Sequence, residues 1–265
     1  MPHPLLDGPP AARLAAMAAL VDCATAPQND EIDALGECLG DARKPVQRRA
    51  AEAFAALAAR GVEVGARLHA ALAAPELRRR WGAAYALSLV GAVPLAALAT
   101  LLEVLGSDDG DLRWAAADLL KRLAATERPV VVTALLGRAG HPGEGRKMAL
   151  YALRDLNVAE AFDAALGALA DDAIETRLAA LALIAKVHPE PGAAARRIAQ
   201  LVDDPDPRMQ RAAAGTLGGL GVGREDVMRT LRRAAESSDG SLRRAAARSL
   251  RQLEGAMPSA PGRGG

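Results

Sequence analysis

The sequence predicts an all-α fold: a right-handed α-solenoid, or superhelix, of about seven helical hairpins behind an N-terminal capping helix. Three observations predict it. Apolar residues make up 51% of the chain but aromatics only 2%, so the apolar content is mostly Ala and Leu. Strand-favouring runs of Val, Ile, Thr and Tyr are scarce. A helical pattern also recurs about every 33 residues along the 265 of the chain, a length beyond what one compact core usually holds.

The recurring element is a nine-residue stretch. It reads VQRRAAEAF at 46–54, RRWGAAYAL at 79–87, LRWAAADLL at 112–120 and GRKMALYAL at 145–153. ETRLAALAL at 175–183, MQRAAAGTL at 209–217 and LRRAAARSL at 242–250 complete the series. The last residues of the seven copies stand 33, 33, 33, 30, 34 and 33 positions apart. An apolar stretch with the same pattern, ARLAAMAAL at 12–20, reads as a partial copy that caps the array. Asp7 and the absence of Lys or Arg before Arg13 argue against a signal peptide there.

Shorter apolar helices such as EIDALGECL and PLAALATLLEVL lie between the copies. Turns rich in Asp, Ser, Gly and Pro, among them GSDDGD, DDPDP and SSDG, join them to the repeated helix. Neither helix of such a hairpin buries its apolar face alone, so successive hairpins stack. The expected organisation is an N-terminal extension over 1–10, one repeat domain over 11–254 and a disordered tail over 255–265.

An acidic turn followed by an apolar residue, an arginine, alanines and a final leucine, as in GDLRWAAADLL and DGSLRRAAARSL, resembles the HEAT-repeat family. The likeness is to its short bacterial type, related to the HEAT-like repeats of phycobilisome lyases. It runs over roughly residues 10 to 254 and implies a fold more than a function, because these repeats carry scaffolds, adaptors and a few enzymes. By resemblance, the arginines at the second place of the pattern, Arg80, Arg113, Arg146 and Arg243, bridge to acidic turns of neighbouring units.

Numbering the pattern from 0 to 8, small or apolar residues at 0, 4, 5 and 8 form the buried stripe. Positions 2 and 6 then look into the groove lined by the second helices. Position 2 holds Arg48, Trp81, Trp114, Lys147, Arg177, Arg211 and Arg244. Position 6 holds Glu52, Tyr85, Asp118, Tyr151, Leu181, Gly215 and Arg248. Lys121, Arg122, Arg154 and Arg251 follow on the same faces, with Asp155 opposing. The predicted groove is therefore basic and centred on aromatics, and the compensating acids, such as Asp109, Asp171 and Asp204, occupy the turns. Two readings of the tryptophans stand open: rings that fill gaps between helices, or a platform for a ligand, peptide or base.

The formal net charge of +1 gives no whole-chain argument for nucleic acid or membrane. Cys23 and Cys38 form no metal-type or disulfide framework, which suits a reducing cytoplasm. His3, His69, His141 and His188 lack the paired His-Glu motifs of the HEAT-repeat hydroxylase that modifies deoxyhypusine, and no metal or cofactor is expected. The expected role is a non-catalytic, monomeric scaffold that binds a protein or acidic peptide through Trp81, Tyr85, Trp114, Lys147, Tyr151, Arg154, Arg177, Arg211 and Arg244.

Two other resemblances imply alternatives. Trp114, Asp118 and Arg154 look like the tryptophan, aspartate and arginine of HEAT-like alkylpurine DNA glycosylases. In that reading Asp118 stabilises charge developing at the sugar, Trp114 packs on the deoxyribose and Arg154 holds a phosphate. The phycobilisome-lyase likeness implies a subunit that holds a tetrapyrrole on the aromatics, with its propionates on arginines.

Overall fold

The computed structural model describes residues 3–256. Among them the chain is all-α, of the α-solenoid class, with fourteen α-helices, three short 3-10 turns and no strand. Residues 257–265, most of the expected tail, lie outside the described residues. Contacts divide the chain into two compact units, Met1–Ala134 and Leu135–Gly265.

The first unit opens with α1 (Pro10–Asp22), the expected capping helix. Hairpins follow: α2 (Asn29–Cys38) with α3 (Lys44–Ala59), and α4 (Gly65–Leu72) with α5 (Leu77–Val90). A third pairs Leu95–Val104, a 3-10 turn running into α6 (Leu98–Val104), with the start of α7 (Gly110–Gly140). The second unit carries α8 (Arg146–Asp155), α9 (Phe162–Ala168), α10 (Ile174–Lys186) and α11 (Pro191–Gln200). It ends with α12 (Pro207–Leu220), α13 (Glu225–Ala234) and α14 (Gly240–Ala256). The repeated nine-residue stretches fall on α3, α5, α7, α8, α10, α12 and α14, the second helix of each hairpin.

The helices begin where turn chemistry dictates. Pro45, Pro191 and Pro207 occupy the first turns of α3, α11 and α12, where their missing N–H removes no helical bond. Asp109 and Asp239 cap α7 and α14, accepting from the backbone N–H groups of Leu112 and Leu242. Helix α7 departs from the hairpin plan. It bends at Glu127 (φ −122°, ψ 38°), two residues before Pro129, instead of closing in a polar turn. Proline has no N–H to donate and its ring crowds the preceding turn, which kinks the helix while allowing it to continue.

The core of each unit is aliphatic and close. Ala50, Ala51, Ala83, Ala84, Ala213 and Ala214 are fully buried, as the stripe predicts. At two places even alanine is too large. A β-carbon on Gly82 would stand 2.2 Å from the Leu39 carbonyl oxygen, and one on Gly218 would stand 2.6 Å from Ser249 Oγ. The Ser249 hydroxyl is itself buried and donates to the Ala214 carbonyl at 2.7 Å.

The second-place residues of the pattern form a ladder. Arg80, Arg113 and Arg243 each donate to the backbone carbonyl six residues earlier, on Ala74, Ser107 and Ser237. Gln210 does the same to Asp204, and Gln47 donates to Leu39 O and Arg78 O. Arg146 donates from Nε to Ala139 O at 2.9 Å and from Nη1 to Asp171 Oδ2 at 2.6 Å. Of the four arginines expected to bridge to acidic turns, Arg146 does so, pairing with Asp171 in the next turn. Arg80 pairs with Glu103, which lies within α6, and Arg113 and Arg243 reach backbone carbonyls and no acidic side chain among the described residues. Arg13 of α1 belongs to the same series, holding Leu5 O at 2.7 Å and pairing with Asp41. It thereby fastens the N-terminal extension, whose Leu5 is buried.

The ladder corrects one register. Arg177 donates to Asp171 O at 3.2 Å and pairs with Asp204 at 3.1 Å, so it is a ladder residue and not a groove residue. The fifth copy therefore runs 176–184, and ladder residues 47, 80, 113, 146, 177, 210 and 243 stand 33, 33, 33, 31, 33 and 33 apart. Its groove positions are Leu178 and Ala182, while Leu181 is buried.

Candidate functional site

In the first unit the second helices bring the position-2 and position-6 side chains of α3 and α5 to one cavity of about 490 Å³. Arg48 and Glu52 reach it from α3, Trp81 and Tyr85 from α5, and Asp111 and Leu112 from the first turn of α7. The spacing of four within each pair places both members on one face, one turn apart.

The aromatic pair is real but not uniformly exposed. Trp81 and Tyr85 stack with ring centroids 6.0 Å apart and planes at 21°. Trp81 is 5% exposed and Tyr85 half-buried, so Trp81 forms wall rather than platform. Trp114, in the same column one helix on, is 54% exposed. The two open readings of the tryptophans thus divide: one ring packs and the other stands out.

The charges at the cavity are largely paired. Lys44, in the first turn of α3, reaches across to the start of α7, with Nζ 2.6 Å from Asp109 Oδ2 and 3.1 Å from Asp111 Oδ2. These carboxylates hold the Lys44 ammonium above its ordinary pKa, and the Lys44 hydrogen bond lowers that of Asp109. Arg49 stands 3.6 Å from Glu52. Arg48 makes no ion pair among the described residues. It occupies position 2 of its repeat, the column that also holds Trp81 and Trp114.

Of the alternative catalytic set, Trp114 and Asp118 belong to the first unit and Arg154 to the second. Asp118 pairs with Lys121 at 3.5 Å. Arg122, four residues on, donates to the Ser88 carbonyl at 2.7 Å.

In the second unit Arg154 lies over the Tyr151 ring, 4.9 Å from its centroid, and donates to Asp155 Oδ1 at 2.7 Å. Lys147 is half-buried on α8. Arg211 stands 3.5 Å from Asp239, and Arg244 donates to Ser241 Oγ at 3.1 Å. A shallow apolar groove of about 380 Å³ runs between α10 and α12, along Leu178, Ala182, Gly215 and Gly219, with Arg211 at its edge.

Among the described residues no helix is long and apolar enough to cross a membrane. No group of three or more His, Cys, Asp or Glu there is placed to hold a metal ion.

Residues 194–261 match the family model described as HEAT repeats. This span holds most of α11 and all of α12–α14, the hairpins in which the ladder and the buried alanine stripe recur. No curated protein matches the chain. Among solved structures, the crystal structure of an engineered protein covers 94% of this chain and 77% of its own, with 20% identity and a TM-score of 0.49.

Proposed function

We propose that the chain is a non-catalytic interaction scaffold whose second-helix face takes an extended, acidic segment of a protein partner. The observation that carries this reading is Trp114: an indole 54% exposed, in the groove column, beside a cavity walled by the stacked Trp81 and Tyr85. An exposed tryptophan on an otherwise alanine-lined helix is the kind of anchor that dominates binding energy at interfaces. The HEAT-repeat match supports the same reading, since such repeats commonly serve protein interaction.

The test is selection of binders from a displayed library of randomised decapeptides against the full chain, with affinities followed by tryptophan fluorescence. Selected peptides should be rich in Asp and Glu, and Trp114→Ala should weaken them about tenfold or more while the circular dichroism stays unchanged. Failure to select any peptide, together with saturable duplex-DNA binding that weakens steeply between low salt and about 150 mM, would overturn the reading in favour of nucleic acid.

A further inference from the structure

The cavity of the first unit gathers hydrogen-bond donors that the chain leaves unanswered. Its lining includes three cations, Lys44, Arg48 and Arg49, against two acids, Glu52 and Asp111. Lys44 is held by Asp109 and Asp111, and Arg49 by Glu52. Arg48, exposed on α3, has neither an ion pair nor a hydrogen bond among the described residues. Trp81 is more than nine-tenths buried, yet its indole N–H meets no acceptor among the described residues and is not sealed from solvent. The half-buried Tyr85 hydroxyl is likewise without a partner there. Arg48, Trp81 and Tyr85 all line this one cavity and bring to it donors that no group of the chain answers, which favours a group that only accepts.

We propose that this cavity is the anchor subsite for one carboxylate side chain, Glu or Asp, of the partner's extended segment. Arg48 is its counter-ion, and the Trp81 N–H and Tyr85 O–H orient it. The inference rests on the scaffold reading above and names the chemistry of one of its contacts. A carboxylate accepts from all three donors, whereas an amide of the same shape brings an NH₂ group that finds no acceptor among them. Glu52, on the α3 side, repels an anion and confines the carboxylate to the space between Arg48 and α5. The half-buried Tyr85 ring, backed by Trp81, then offers apolar contact to the neighbouring side chain of the segment.

The experiment uses the full chain labelled with ¹⁵N, in which the two indole N–H resonances are assigned with Trp114→Phe. The probe is the acetylated, amidated tetrapeptide Ala-Glu-Leu-Ala, compared with its Gln and phosphoserine counterparts. The Glu peptide should move the Trp81 indole resonance downfield in a saturable way. Binding should weaken about tenfold or more with the Gln peptide and in Arg48→Gln, and less in Tyr85→Phe. Arg48 is exposed and makes no ion pair or hydrogen bond among the described residues, so an unchanged circular dichroism spectrum of that variant assigns its loss to binding.

An equal shift with the Gln peptide would overturn the subsite. Tighter binding of the phosphoserine peptide by about tenfold or more would reassign it to phosphate. A Trp81 resonance that ignores all three peptides, in a chain that still binds decapeptides through Trp114, would remove the subsite and leave the scaffold standing. Failure to select any decapeptide would instead remove the scaffold reading itself.

Discussion

Arg146 and Asp171 make the joint between two successive hairpins of the second unit. The guanidinium Nη1 lies 2.6 Å from the carboxylate Oδ2, with the side chains 7% and 12% exposed. The other oxygen, Oδ1, accepts from the Ala173 backbone N–H at 3.0 Å. Asp41 and Asp204 repeat the plan: each takes an arginine of the preceding unit and a backbone N–H two residues on. One carboxylate thus closes a turn and fastens a neighbour.

Arg146→Ala should therefore destabilise the protein by about 3 kcal/mol or more, because it leaves a nearly buried carboxylate and the Ala139 carbonyl without their donor. Arg243→Ala, whose ladder bond is exposed, should cost about 1 kcal/mol or less. Urea unfolding followed by far-ultraviolet circular dichroism compares the two, and equal losses would contradict the difference in burial.

Acid should loosen the Arg13–Asp41 joint. Hydrogen bonds from the Arg43 side chain, and then from its backbone N–H and from Arg13, hold the Asp41 carboxyl well below the usual carboxylate range, against the opposing effect of burial. A group whose folded pKa is depressed adds stability above its unfolded value, about 3.9 for Asp. That stability is lost as pH falls from there toward the folded value. Asp41→Asn should then be less stable than the parent at pH 7, and the gap should shrink as pH drops below about 4. A gap independent of pH would refute the linkage.

Trp81 and Trp114 should respond oppositely to truncation. Trp81→Ala should cost about 3 kcal/mol or more through the void it leaves against Tyr85, whereas Trp114→Ala should stay within about 1 kcal/mol. Thermal unfolding separates them.

Gly82→Ala and Gly218→Ala should each destabilise by about 1 to 3 kcal/mol, since the added methyl meets the Leu39 carbonyl or the Ser249 side chain. Gly219→Ala, with open space at that position, should be neutral or slightly stabilising in thermal unfolding.

The two thiols should differ in reactivity. Cys23 is exposed, and its thiol pKa is lowered by hydrogen bonding with the Thr25 side chain. Cys38 is buried, which raises its own. A thiol-specific disulfide reagent should label Cys23 promptly in native protein and Cys38 only after denaturant is added.

The hairpins were legible because helical periodicity and acidic turns are local signals. The register of the fifth copy is ambiguous in sequence, because positions 4, 5 and 8 hold Ala179, Ala180 and Leu183 in one frame and Ala180, Leu181 and Ile184 in the next. Only the carbonyl that Arg177 reaches decides between them, and no spacing rule reveals that acceptor. The columns were legible too, but not the exposure within them. Trp81 and Trp114 share a position; Trp81 has Tyr85 one turn on to stack against, whereas Trp114 has Asp118. The unmatched donors of Arg48, Trp81 and Tyr85 become visible only once every neighbouring charge has been assigned a partner in space.

Each joint pairs an arginine with a carboxylate 25 to 28 residues further along, as in Arg146 with Asp171 and Arg13 with Asp41. That span is shorter than the repeat itself. A duplicated 33-residue window that begins at the arginine, such as 13–45 or 146–178, carries both the donor half and the acceptor half of the fastening. A chain lengthened by such a window gains a complete joint and leaves no charge stranded at the seam.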